Sequence, residues 1–124
     1  MTIVYRLHSS RYTASSGQGA AIHGGRWNPK GIPVIYAAAS PSLAVLEVLV
    51  NYSVLPKDFA LTSISIPDSV LVTNVPEAAL PEGWDNPVPI AATREYGKRW
   101  LVTRESLVLR VPSSVNQGRG ELRD

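Results

Sequence analysis

The sequence contains no cysteine, which excludes disulfides, thiolate metal ligands and a cysteine nucleophile and fits a reducing compartment. Basic residues are not clustered. Net charge is only +2, and no run of Lys or Arg exceeds a dipeptide such as Lys98-Arg99. A nucleic-acid surface draws on a clustered basic face, so direct DNA or RNA binding is not expected. No apolar run reaches the roughly 20 residues of a membrane span. The opening Met-Thr-Ile-Val-Tyr-Arg-Leu-His lacks a basic segment followed by a long apolar one, so no signal peptide is expected. The expectation is a cytoplasmic protein that does not contact membrane. Familiar site motifs are missing as well: there is no G-x-x-x-x-G-K-[ST], no G-x-G-x-x-G opening a helix and no G-x-S-x-G. The two histidines, His8 and His23, lie 15 apart without clustered carboxylates. They read as surface or core-edge residues, and no metal site is expected.

What is present describes an ordinary folded chain. Apolar residues make up 44% and charged residues 18% of 124 positions, enough for one core and hence a single domain over 1–124. Ten prolines and nine glycines imply many turns and short elements. The organising stretch is Ser40 to Asn51. Ser40 suits an N-cap and Pro41 the first helical position, where its missing N–H breaks no bond. Leu43, Ala44, Val45, Leu46, Val48, Leu49 and Val50 are apolar on every side of the wheel, which predicts a buried helix. Glu47 is its one charge. A buried carboxylate is costly unless it is paired or opens into a cleft, so Glu47 marks either a site or a structural ion pair.

Elsewhere, Thr2 to Leu7 alternates as a strand that sets Arg6 opposite Tyr5. A polar, Gly-rich loop follows. Ile32 to Ala38 predicts a buried strand with Pro33 near its start. Leu61 to Ile66, Val70 to Val75 and Ser106 to Val111 read as further strands, with Pro76 to Pro89 an irregular connection. Ala91 to Val102 reads as an amphipathic helix that Gly97 weakens by about 1 kcal/mol relative to Ala. Residues 115–124 read as a flexible tail. Mixed elements without regular βαβ alternation give an α+β class.

The side chains suited to chemistry are Arg6, Arg26, Tyr36, Glu47, Ser106 and Ser113. Arg26 sits between Gly24-Gly25, which permits close backbone approach, and Trp27-Asn28-Pro29. Its guanidinium suits a phosphate or carboxylate; stacking on Trp27 or pairing with Glu47 fits equally well. Tyr36 taken alone reads as core more readily than as a stacking platform. Ser106 and Ser113 taken alone are ordinary strand and turn residues.

The run Gly24-Gly-Arg-Trp-Asn-Pro-Lys-Gly-Ile-Pro-Val-Ile-Tyr-Ala-Ala-Ala-Ser-Pro-Ser-Leu-Ala-Val-Leu-Glu47 resembles the signature of the RES domain, the toxin of RES–Xre toxin–antitoxin modules. Tyr5-Arg6 and the late segment 106–113, Ser-Leu-Val-Leu-Arg-Val-Pro-Ser, extend the likeness over most of the chain. After Ser113 the family pattern continues with an Asn-x-Leu-x-Asn-Pro-x-His-Pro-like segment that this sequence lacks. The resemblance implies an α+β fold like that of diphtheria-toxin-type ADP-ribosyltransferases, with NAD+ as the molecule consumed. It implies that Arg6, Arg26, Tyr36, Glu47 and a serine line the NAD+ cleft, with Ser106 preferred as that serine and Ser113 the second choice. Cleavage of the nicotinamide–ribose bond, by hydrolysis or phosphorolysis, would arrest growth by depleting NAD+. Mono-ADP-ribosylation of a cellular protein by the same site is the alternative, and a non-catalytic binding module with a Glu47–Arg26 ion pair is a third reading. The family further implies an Xre-like antitoxin partner that carries any DNA contact, and a homodimer within the toxin–antitoxin complex.

Overall fold

A computed structural model describes residues 1–52 and 57–115. The chain is α+β, with strands β1 (Thr2–Ser9), β2 (Phe59–Ile66), β3 (Val72–Asn74) and β4 (Val108–Arg110) and helices α1 (Gln18–His23), α2 (Pro41–Tyr52) and α3 (Ala91–Thr103). β1 and β2 pair antiparallel from Thr2 opposite Ile66 to Ser9 opposite Phe59. In that register Val4, Arg6 and His8 share a face with Ile64, Thr62 and Ala60. Ser63 and Ser65 alternate outward with Tyr5 and Ile3, so Arg6 lies opposite Tyr5 as the sequence pattern requires. His8 is buried at the edge of the core, its Nε2 hydrogen-bonded to Thr62 Oγ1 at 2.7 Å. β3 and β4 pair in parallel, with α3 in the crossover between them.

Helix α2 begins as its sequence requires. Ser40 Oγ accepts the N–H of Leu43 at 3.2 Å, and its carbonyl accepts that of Ala44 at 3.1 Å. The expectation of burial all round is not met. α2 lies along β1, and Ala44 on it is buried, but Leu46 is exposed and Val50 is 58% exposed. One strand behind a helix covers one face, and an all-round apolar sequence does not supply the missing neighbours.

The expected strand at Ile32 to Ala38 is also corrected. The segment joins β1 only through one bridge, in which Tyr5 and Ala38 exchange both backbone hydrogen bonds at 2.8 Å. Two features keep the rest out of a ladder. The carbonyl of Ile32 accepts from the Asn28 side chain, and Pro33 has no donor to give. Gly17 then presses against Pro33 and Val34, so close that a Cβ there would meet Val34 N at 2.8 Å. Ile35 and Tyr36 are consequently exposed in part rather than buried. The Pro76–Pro89 connection is irregular, with a 3-10 turn at Glu77–Ala79. Residues 116–124, where most of the expected tail falls, lie outside the described residues.

The buried centre consists of Trp27, Ala38, Ala44, Val75 and Trp84, with Asn28 and Thr93 enclosed among them. Trp27 and Asn28 belong to the loop that carries Arg26, so that loop is built into the core.

Candidate active site

Two supports hold the Arg26 loop. The first is Asn28, which has no solvent exposure. Its amide donates to the carbonyls of Ala20 (2.9 Å), Ile32 (3.0 Å) and Pro29 (3.2 Å), and its Oδ1 accepts the Tyr36 hydroxyl at 2.6 Å. Tyr36 Oη in turn accepts the Trp27 N–H at 3.0 Å. The Tyr36 hydroxyl therefore closes the loop internally. Burial pushes its pKa up to about 12, against the lowering effect of the Trp27 N–H and of the Arg26 and Arg94 charges. Gly25 is required here, since a Cβ would stand 2.6 Å from that hydroxyl.

The second support is α3. Gly97 passes so close under the loop that a Cβ would lie 1.8 Å from the Trp27 carbonyl oxygen. Tyr96 meets Trp27 edge-on with ring centres 6.2 Å apart, and Arg94 Nε donates to the Gly25 carbonyl at 3.2 Å. The helix thus grips residues 25 to 27 from three positions within one turn.

Between these supports Arg26 donates from Nη1 to the Trp84 carbonyl at 2.7 Å. Burial lowers the pKa of its guanidinium, while the charges of Glu47 and Asp85 favour the cation. Glu47 projects from the middle of α2 and is half-buried. Its Oε1 accepts the Ser113 hydroxyl at 2.7 Å, a bond that joins α2 to the segment after β4. Arg26, Tyr36, Glu47 and Ser113 therefore form one electrostatic neighbourhood.

Arg6 and Ser106 are placed differently. Arg6 Nη1 donates to the carbonyls of Ala14 (2.5 Å) and Ser16 (2.8 Å), gathering the Gly-rich loop, and burial lowers its pKa. Ser106 Oγ accepts from Trp100 Nε1 at 2.9 Å, donates to the Val108 carbonyl at 3.0 Å and shares a 2.6 Å bond with Thr73. All its hydrogen-bonding capacity is spent joining α3, β3 and β4. It lines a concavity of about 440 Å³ with Trp100, Leu101, Arg104 and Leu107, none of which belongs to the Arg26–Glu47 neighbourhood. Sequence reasoning passed over Asn28, Arg94 and Gly97. Asn28 entered only as part of the segment that follows Arg26, while Thr93 and Gly97, two small residues one helical turn apart, were the signal in the sequence for a helix face open to close approach.

The match to the RES domain spans residues 3–122. The chain belongs to the RES-domain family. It is 45% identical over 118 residues to a protein named Toxin Res from Photorhabdus laumondii, covering 91% of this chain and 74% of the relative. A Toxin Res from Yersinia enterocolitica is 41% identical over 117 residues (91% and 76%). A Sphingobium protein named Prs ADP-ribosylating toxin is 38% identical over 104 residues (81% and 65%).

Proposed function

We propose that the chain is a toxin of a toxin–antitoxin module that consumes NAD+ by cleaving its nicotinamide–ribose bond, by hydrolysis or phosphorolysis. The observation that carries this reading is the Ser113–Glu47 hydrogen bond set beside the half-buried charge of Arg26. Breaking that N-glycosidic bond develops positive charge on the ribose, and nicotinamide leaves as a neutral base that needs no general acid. One fixed carboxylate is then sufficient. Glu47 supplies negative charge in a partly dry setting, where it acts more strongly than in water. The Ser113 hydroxyl orients the carboxylate by donating to Oε1, which favours Ser113 over Ser106 as the serine of the site. Arg26 binds the diphosphate. Tyr36, 37% exposed with its hydroxyl turned inward, presents the rest of its surface to the ligand. Arg6 orders the 14–16 segment through the Ala14 and Ser16 carbonyls.

The same reading carries an ADP-ribosyltransferase-like fold formed as a single domain, no metal, a cytoplasmic place of action, an Xre-like antitoxin and a homodimer within their complex. The named partner, rather than this chain, would contact DNA. Transfer of ADP-ribose onto a cellular protein is the second reading, favoured by the name of the Sphingobium relative. Incubation with NAD+ labelled in the adenylate half separates the two. Free ADP-ribose, or its phosphorylated form, supports depletion, and label fixed to protein supports transfer. Intact NAD+ at high enzyme concentration refutes both.

A further inference from the structure

Arg94 is a second guanidinium at the Arg26 loop, and no reading of the sequence gave it a role. Its Nε donates to the Gly25 carbonyl, the peptide immediately before Arg26, at 3.2 Å. Its charge acts on both Arg26 and Tyr36. Arg26, for its part, is fastened by a carbonyl, that of Trp84. Each arginine is thus held in place by a neutral acceptor, and each keeps further N–H groups of its five-donor fork for something else. The acidic groups acting on Arg26 are Glu47 and Asp85, and Glu47 is also engaged by Ser113.

Bringing two cations to one loop is unfavourable in itself. Here the arrangement is enforced by the packing of Tyr96 and Gly97 on Trp27, which fixes Arg94 one turn or less away on the same helix. A like-charged pair kept together by the fold, with donors to spare, is the chemistry of an anion site.

We infer that Arg94 acts with Arg26 as the second half of a diphosphate-binding pair, α3 supplying one guanidinium and the Gly24–Trp27 loop the other. The choice of a diphosphate as ligand rests on the function proposed above. The Nε bond to Gly25 also couples the two, so a diphosphate held by Arg94 bears on the loop that orients Arg26.

Calorimetric titration of the full chain with ADP and with inorganic pyrophosphate tests the inference, at low salt and again at physiological salt. Arg94→Gln keeps an amide donor within reach of Gly25 and removes the charge. It is expected to weaken both ligands about tenfold or more, as loss of a charge-assisted contact does, and to flatten the salt dependence of their binding. It should also raise the KM for NAD+ by a larger factor than it lowers kcat. Arg94→Lys, which keeps the charge without the planar fork, should recover part of the affinity. Wild-type affinity in Arg94→Gln overturns the inference. So does weaker binding with an unchanged salt dependence, which means that Arg94 only props the loop, and so does a wild-type protein that takes up neither ADP nor pyrophosphate. A wild type that binds ADP through Arg94 yet leaves NAD+ intact refutes the proposed activity and leaves the anion site standing.

Discussion

Gly97→Ala separates helix propensity from packing, because the two predict opposite signs. Gly97 lies in the interior of α3, where alanine is favoured over glycine by about 1 kcal/mol. On that ground alone the substitution stabilises. The fold says otherwise. The added methyl would sit 1.8 Å from the Trp27 carbonyl oxygen and 2.7 Å from its carbon, against 3.4 Å or more for ordinary contact. The obstacle is backbone, enclosed beside Asn28, and cannot rotate aside. α3 must therefore retreat by more than 1 Å, which also loosens the Arg94–Gly25 hydrogen bond and the Trp27–Tyr96 ring contact. Overpacking of this kind costs about 1–3 kcal/mol or more, and the lost contacts add roughly 1 kcal/mol each. The net expectation is a loss of about 2–4 kcal/mol after the propensity gain. For a chain of this size that lowers Tm by roughly 10 °C. Thermal unfolding followed by circular dichroism, with NAD+ turnover measured in parallel, checks it. An unchanged or raised Tm would refute the close packing of α3 on the Arg26 loop.

The two serines are expected to respond in opposite ways. Ser106→Ala strands the Trp100 indole N–H and the Thr73 hydroxyl and should lower stability by about 1–3 kcal/mol with little effect on turnover per folded molecule; Ser113→Ala should lower turnover with little change in Tm. A pH titration of unfolding checks Tyr36. Its folded pKa of about 12 lies above the ordinary 10.0, so the stability it contributes is intact below pH 10 and is lost as pH rises toward 12. Wild type should therefore lose stability more steeply than Tyr36→Phe across that window, and equal slopes would contradict the buried hydroxyl.

Much of the frame was legible because it is local. The alternation in 61–66 is the inward and outward alternation of β2, and Ser40-Pro41 caps α2 as its chemistry requires. Ile32 to Ala38 was misread because a run of apolar residues reports burial without reporting a ladder, and the side chain of Asn28 takes up the carbonyl of Ile32, the first residue of the run. The apolar wheel of α2 failed for a related reason: Val50 can be as apolar as any core residue and still lack a neighbour. Arg26 and Glu47 stood out as charges in unfavourable company. The residues that hold them in place did not, because Arg94 and Gly97 act through contacts with Gly25 and Trp27, 69 and 70 positions away, and Asn28 joins the site through Tyr36, 8 positions on.

The central proposal is that Glu47, which accepts from Ser113 and whose charge acts on Arg26, stabilises the ribose cation as NAD+ is cleaved. Mass spectrometry of NAD+ incubated with wild type and with Glu47→Gln, at matched concentrations of folded protein, tests it most directly. The account predicts nicotinamide release by wild type and a rate on the order of 10²–10³ lower for the variant, with its unfolding temperature close to that of wild type. Equal rates for the two proteins would contradict it.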